Sequence, residues 1–282
     1  MRLIPKRFRK KNISSDIAEE FFKKVDNLPN REKKRAVFDL DNTILNGDIG
    51  DALFCRLKNL EKKKRVRSDG KPIDFTWSEY KDLMSTGNKE IAYRKITECM
   101  ESVPEELIKN LTRELMNSDF SSLEHSGERV AIPCINLDIK EIIERLKKSG
   151  YKINIISASN SISVRVIAEE YLGLEKLSCF GMETQMVLST KGKAILGGTV
   201  MEPVPVNKGK VELYRKRISD ELPLITAGDS ILDFPMLELV DNGGIVIWRG
   251  DEGSNLEKLK KIIGMRAEVF PVGLTGIEGR KL

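Results

Sequence analysis

Between Asp48 and Met116 apolar residues recur at steps of three and four in "DIGDALFCRLKNL", "TWSEYKDLM", "NKEIAYRKITECM" and "PEELIKNLTRELM". That is the period of helices that bury one face. Pro104 suits the first turn of the last of them, with Ser102 a candidate cap. Outside this stretch the texture differs. Ile13 to Val25 fits a short helix, and Ala36 to Asp39 reads as a buried strand. After about Val130 short apolar runs alternate with amphipathic stretches. Helix "DIKEIIERLKKSG" ends on Gly150. Strand "KINIISAS" and helix "SISVRVIAEEYLG" follow, then a β-rich stretch with a hairpin turn at "TKGK". Helix "KGKVELYRKRI", strand "LPLITAGD", helix "ILDFPMLELV", strand "GIVIWR", helix "NLEKLKKIIG" and strand "AEVFPV" complete the chain.

Strands separated by helices predict an α/β domain, a Rossmann-like parallel sheet with helices on both faces. The helical stretch then sits as a small inserted cap between the first strand and the rest. The expected division is a basic N-terminal flank over 1–33, an α/β core from 34–46 and 131–282, and a helical cap over 47–130.

Composition adds exclusions. The 282 residues are 40% apolar and 32% charged, which is ordinary for a globular chain and argues against overall disorder. The net charge of +5 owes much to "MRLIPKRFRKKN", "REKKR" and "EKKKRVR". No aromatics interleave with these cations as a base-stacking surface requires, so they read as solvated flanks and argue against a nucleic-acid partner. Cys55, Cys99, Cys134 and Cys179 are far apart and form no CxxC pair, the pattern of reduced thiols in a cytoplasmic protein. His125, the only histidine, lies in "EHSGER", which reads as a loop without a triad signature. No apolar run spans a membrane, and no apolar segment behind the basic N-terminus makes a secretory leader.

Polar residues follow the strands abruptly. Asp39 and Asp41 end the first strand in "AVFDLDNTIL", Ser157 to Ser159 end the second, and Asp229 and Ser230 the third. In open parallel sheets ligands bind at those carboxyl ends. An EF-hand loop fails, because Thr43 and Ile44 stand where its pattern needs an acid or amide and then glycine. Asp39, Asp41 and Asp229 offer only oxygen ligands, which suit Mg²⁺. Beside Mg²⁺, Asp39 stays ionised and is able to attack phosphorus. Asp41 is placed to protonate a leaving oxygen and then activate water, and Lys208 to neutralise further charge.

"VFDLDNT", "IISAS", a downstream lysine and "GDSILD" resemble, in order, the four motifs of the haloacid dehalogenase superfamily. The likeness runs from about Lys34 to Arg249. It implies Asp39 as nucleophile and Asp41 as general acid and base, with Thr43 supporting the loop. Ser157 and the backbone N–H of Ala158 would hold the phosphoryl oxygens, and Lys208 would fill the cationic role, with Lys210 close by. Asp39, Asp229 and the Asp41 carbonyl would bind Mg²⁺, with Asp233 orienting the metal waters or the lysine. An acid at Asp41 resembles phosphatases or phosphomutases rather than dehalogenases.

The insert and the "GDSILDFPML" run resemble the phosphoserine-phosphatase-like branch. There an early acid meets the substrate amine and a cap arginine its carboxylate; Asp48 and Arg94 are the matching candidates. "SASNS" departs from the glycines of phosphoserine phosphatases after the serine, which leaves other amine-bearing esters such as phosphocholine or phosphoethanolamine open. Trp77, Tyr80 and Tyr93 either face a quaternary ammonium or form cap core, and Asp48 and Asp51 either serve the substrate or a helix start. The expected function is Mg²⁺-dependent hydrolysis of a small phosphorylated metabolite. A phosphomutase and a non-enzymatic binding protein are the alternatives, and the inserted cap suggests opening and closing over substrate.

Overall fold

The computed structural model describes residues 15–29 and 34–272. Helix α1 (Ser15–Val25) precedes the first strand, β1 (Arg35–Phe38), and a short β2 (Leu45–Asn46). The insert contains α2 (Ile49–Glu61), α3 (Trp77–Ser85), α4 (Lys89–Glu98) and α5 (Glu105–Met116), then the hairpin β3 (Ser122–His125) and β4 (Glu128–Ala131). The chain returns through β5 (Cys134–Ile135), α6 (Leu137–Lys148), β6 (Lys152–Asn160), α7 (Ser161–Tyr171) and β7 (Cys179–Met182). A second hairpin, β8 (Thr184–Leu188) and β9 (Ala194–Val200), precedes α8 (Lys208–Arg217), β10 (Ile225–Gly228) and α9 (Phe234–Leu237). Strand β11 (Gly244–Trp248), α10 (Ser254–Ile263) and β12 (Ala267–Pro271) close the fold.

The main sheet has the order β12-β11-β10-β1-β6-β7, and every neighbouring pair is parallel. Successive side chains of a strand point to opposite faces. Thus Ala36 and Phe38 enter one core with Phe21, Ile139 and Ile143, while Val37 enters another with Leu213, Leu237 and Leu259. A sheet buried on both faces needs the near-continuous apolar strands that the sequence supplies.

The N-terminal flank is partly folded. From Ser15 it is helix α1, whose Ala18, Phe21, Phe22 and Val25 form a buried stripe. Phe21 meets Phe270 at 5.5 Å between ring centres, and the Arg145 guanidinium lies 4.1 Å above Phe22. Four apolar residues on one helical face bury more readily than they solvate. The expected basic run "MRLIPKRFRKKN" and most of "REKKR" lie outside the described residues.

In the insert, Phe54, Phe75, Trp77 and Tyr80 pack together, with Trp77 and Tyr80 rings 5.2 Å apart and Trp77 Nε1 donating to Glu128. Trp77 and Tyr80 are therefore cap core. "EHSGER" is a hairpin rather than a loop. Ser126 and Gly127 both have positive φ, at 50° and 80°, the geometry that matches a tight turn to twisted strands. His125 is buried at its end, against Asn59 Oδ1 at 2.8 Å, and burial holds its imidazole below its usual pKa.

The insert also meets the core away from its entry points. Thr112 on α5 and Ser163 on α7 share a hydrogen bond of 2.8 Å, and Arg113 donates to Glu170 at 2.9 Å. Just before α5, Ser102 N–H donates to the Leu196 carbonyl on β9, and Leu196 N–H to the Val103 carbonyl. Among the described residues no helix is long and apolar enough to cross a membrane.

Candidate active site

The three abrupt strand ends do converge. β1 lies between β10 and β6, so Asp39 and Asp229 leave their strands on the edge where Ser157 stands near the end of β6. Asp39 N–H still donates to the Ala227 carbonyl of β10, at 2.9 Å, which holds its backbone in line with the sheet. Asn42, with φ of 56°, then turns the chain, and Leu40 accepts from the N–H groups of Ile44 and Leu45. Thr43 is fully buried under this turn, and its hydroxyl has no partner among the described residues.

Lys210, not Lys208, is the cation of this site. Its ammonium donates to Asp39 Oδ1 at 2.7 Å and to Asp233 Oδ1 at 2.5 Å. Two helical positions subtend about 200°, so only one of the two lysines can face inward. Lys210 shares its buried face with Leu213 and Tyr214, while Lys208 is exposed. Burial pulls the Lys210 ammonium down, but the Asp233 and Asp39 carboxylates outweigh it and hold it above its usual value.

Asp233 Oδ2 accepts from Asp229 N–H at 3.2 Å, Ser230 N–H at 3.0 Å and the Ser230 hydroxyl at 3.0 Å. A Cβ on Gly228 would stand 2.7 Å from that of Asp233, so glycine there is what lets Asp233 close in. One oxygen each of Asp39, Asp229 and Asp233 lies within 4.8 Å of the others. Asp233 is already engaged on both oxygens. Asp39 Oδ2 is buried and has no partner among the described residues. Such an orphaned carboxylate oxygen is costly, and the oxygen-only set beside it fits a hard divalent cation. Burial lifts the Asp39 carboxyl to about 7 against the pull of Lys210, and burial followed by Asp233 raises Asp229 well above its usual value.

Asp41 is held from two sides. Ile49 N–H, at the start of α2, donates to Oδ1 at 2.8 Å. The hydroxyls of Ser157 and Ser159 donate to Oδ2 at 2.9 and 2.8 Å. Burial and then Asp48 push its carboxyl up to about 7. Ala158 lies between the two serines, half-buried, and packs against the cluster of Met182, Val200, Val204 and Val206, as do Tyr93 of the cap and Leu232.

Asp48 caps α2, its Oδ1 accepting from Asp51 N–H at 3.0 Å. Burial, then Asp51, lifts its carboxyl to about 8. Arg94 has a different partner: its guanidinium donates to the exposed Glu202 at 2.6 Å. The sequence reading placed Ser159 at the strand end without a role, left Asp51 between substrate and helix start, and missed Arg249. Ser159 shares Asp41 with Ser157. Asp51 keeps a buried, unpartnered Oδ1 near Tyr80, whose hydroxyl is also buried and unpartnered among the described residues. Arg249, at the end of β11 and only 1% exposed, donates to Asn46 Oδ1 at 2.9 Å. An arginine directly after an apolar strand was the available signal for the last of these.

A family model described as haloacid dehalogenase-like hydrolase matches residues 36–238. Among solved structures, a protein of unknown function from Bordetella pertussis superposes with a TM-score of 0.59 at 17% identity, over 84% of this chain and 99% of its own. A phosphoserine phosphohydrolase-like protein from Francisella tularensis gives 0.51 at 19% identity, over 80% and 92%. A cytosolic 5'-nucleotidase IIIB bound to cytidine gives 0.50 at 15% identity, over 92% and 86%. At these identities the likeness is one of fold. No curated protein matches the chain in sequence.

Proposed function

Since the chain belongs to the haloacid dehalogenase-like hydrolase family, we propose that it is a Mg²⁺-dependent phosphatase acting on a small phosphomonoester through an aspartyl-phosphate at Asp39. The observation that carries this is the state of Asp39: Lys210 fixes Oδ1 at 2.7 Å, while buried Oδ2 has no partner among the described residues. A carboxylate so placed is aimed and not neutralised.

Asp39 attacks phosphorus, and the bond from phosphorus to the ester oxygen breaks. Asp41 gives its proton to that oxygen. In the second half Asp41 takes a proton from water as the water oxygen attacks phosphorus, and the bond to Asp39 breaks. A carboxyl at about 7 suits both duties near neutral pH. Ser157 and the backbone of Ala158 hold phosphoryl oxygens. Lys210 offsets the charge of carboxylate and phosphate, and Asp233 holds Lys210. Asp39, Asp229 and the main-chain carbonyl of Asp41 would hold Mg²⁺, which when bound polarises the phosphoryl group and keeps Asp39 ionised.

Asp48 is the contact for a substrate amine. Arg94 pairs with the exposed Glu202, so a substrate carboxylate would have to compete for it. That favours amine-bearing esters without a carboxylate, such as phosphoethanolamine or phosphocholine, over phosphoserine.

The test is phosphate release from phosphoserine, phosphoethanolamine, phosphocholine, sugar phosphates and nucleotides, with Mg²⁺ and with chelator. Turnover should fall by about a thousandfold or more in Asp39→Asn and vanish with chelator. Folded, Mg²⁺-loaded protein that releases no phosphate from any ester would refute the reading.

A further inference from the structure

The structure assigns Ser159 as a positioning residue that keeps Asp41 aimed at the leaving oxygen once Ser157 has turned to the phosphate; the assignment rests on the phosphatase reading above.

Ser157 has two claims on one hydroxyl. It donates to Asp41 Oδ2 at 2.9 Å, and its oxygen accepts from Ser159 N–H at 2.9 Å. A substrate phosphate held by Ser157 must draw that hydroxyl away from Asp41. The donors then left on Asp41 are Ile49 N–H at 2.8 Å on Oδ1 and the Ser159 hydroxyl at 2.8 Å on Oδ2. Without Ser159, Oδ2 would lose its last donor at the moment the proton has to be delivered.

The backbone is shaped for this grip. β6 and β7 are in register at Ile156 with Phe180 and again at Asn160 with Met182. Three residues, Ser157 to Ser159, therefore stand opposite the single Gly181. Bulges re-aim side chains in this way beside sites. The bulge also rests hard on its partner strand, since a Cβ on Gly181 would lie 2.6 Å from the Ser159 carbonyl oxygen. Ser159 itself is 7% exposed, so water does not compete freely for its hydroxyl. A hydroxyl both donates and accepts, so it stays bonded to Asp41 on whichever side of the reaction the proton lies. The plainer reading is that Ser159 only fills space in the bulge. The two readings differ in what an isosteric residue without a strong hydroxyl donor would do.

The experiment compares wild type, Ser159→Ala and Ser159→Cys on aryl phosphates running from p-nitrophenyl to phenyl phosphate, with phosphoethanolamine as alkyl ester. A leaving group that departs as a stable anion needs no proton, so kcat/KM should fall least, about twofold, on p-nitrophenyl phosphate. It should fall tenfold or more on phenyl phosphate, and Cys should behave as Ala does, because a general acid contributes in proportion to the need for its proton. Equal loss along the series, no loss, or restoration by Cys would overturn the assignment in favour of packing. Wild type that cleaves none of these esters would fail the phosphatase reading itself, and this inference with it.

Discussion

Lys210 and Asp39 meet at 2.7 Å across the mouth of the sheet, the lysine from α8 and the aspartate from the end of β1. Lys210→Met would leave two buried carboxylates, Asp39 and Asp233, without their cation. Breaking a buried ion pair from one side costs about 3–5 kcal/mol, and turnover should be lost as well. Lys208→Met, on the exposed side of the same helix, should move stability by less than about 0.5 kcal/mol and leave turnover near wild type. Urea unfolding and phosphate release on both variants check this. The reverse pattern would return the cationic role to Lys208.

Stability should depend on pH in an unusual direction. The carboxyls of Asp41 and Asp48, at about 7 and about 8, lie above the ordinary carboxylate value of about 4. The folded protein thus keeps protons that the unfolded chain has already released, and stability falls as pH rises through the folded values. His125 works in the opposite sense, but its imidazole is held below 6.5. From about pH 6.5 to 8.5 the carboxyls dominate. Without divalent cation, the melting temperature should drop by several degrees over that range, and Mg²⁺ should raise it more at the upper end than at the lower. A flat profile would show that these carboxyls are not buried in solution.

Gly181→Ala should push the Ser157–Ser159 bulge out of place. Its Cβ would fall 2.6 Å from the Ser159 carbonyl oxygen, which is backbone and cannot swing aside. Overpacking of this kind costs about 1–3 kcal/mol, and kcat/KM should fall with it. Gly192→Ala, in open space but with φ of 70°, should cost stability alone, about 1–2 kcal/mol. Equal kinetics for the two variants would separate the bulge from the chemistry.

Phe21→Ala tests the docking of α1. Phe21 is fully buried against Phe270, and removing such a ring costs about 3–5 kcal/mol. KM should not change, since α1 packs on α6 and on Phe270 of the edge strand β12, two strands away from β10. Unchanged unfolding would mean that the helix does not pack as described.

The core and its carboxylates were legible in the sequence because strand ends announce themselves. An apolar run cannot continue into "DLDNT" or "GDS" without leaving the interior. The lysine was legible too, had helix phase been used: Lys210 lines up with buried Leu213 and Tyr214, Lys208 with exposed Glu212. The turn at Ser126–Gly127 was readable as a two-residue hairpin, but its flanks are too polar to look like strands. Arg94 was a different matter. Where a residue on α4 points depends on how four helices stack, and local periodicity says nothing about that. Ser159 was hidden for another reason. Strand alternation puts residues 157 and 159 on one side, but their reach to Asp41 needs a bulge that only the partner strand reveals.

Thr112 on α5 and Ser163 join the insert to α7, and Ser102 and Val103, just before α5, join it to β9. A lid on one hinge swings; a body fastened at separated points only breathes. A wide swing of the insert would have to break both sets of hydrogen bonds, so opening over Asp39 carries their cost.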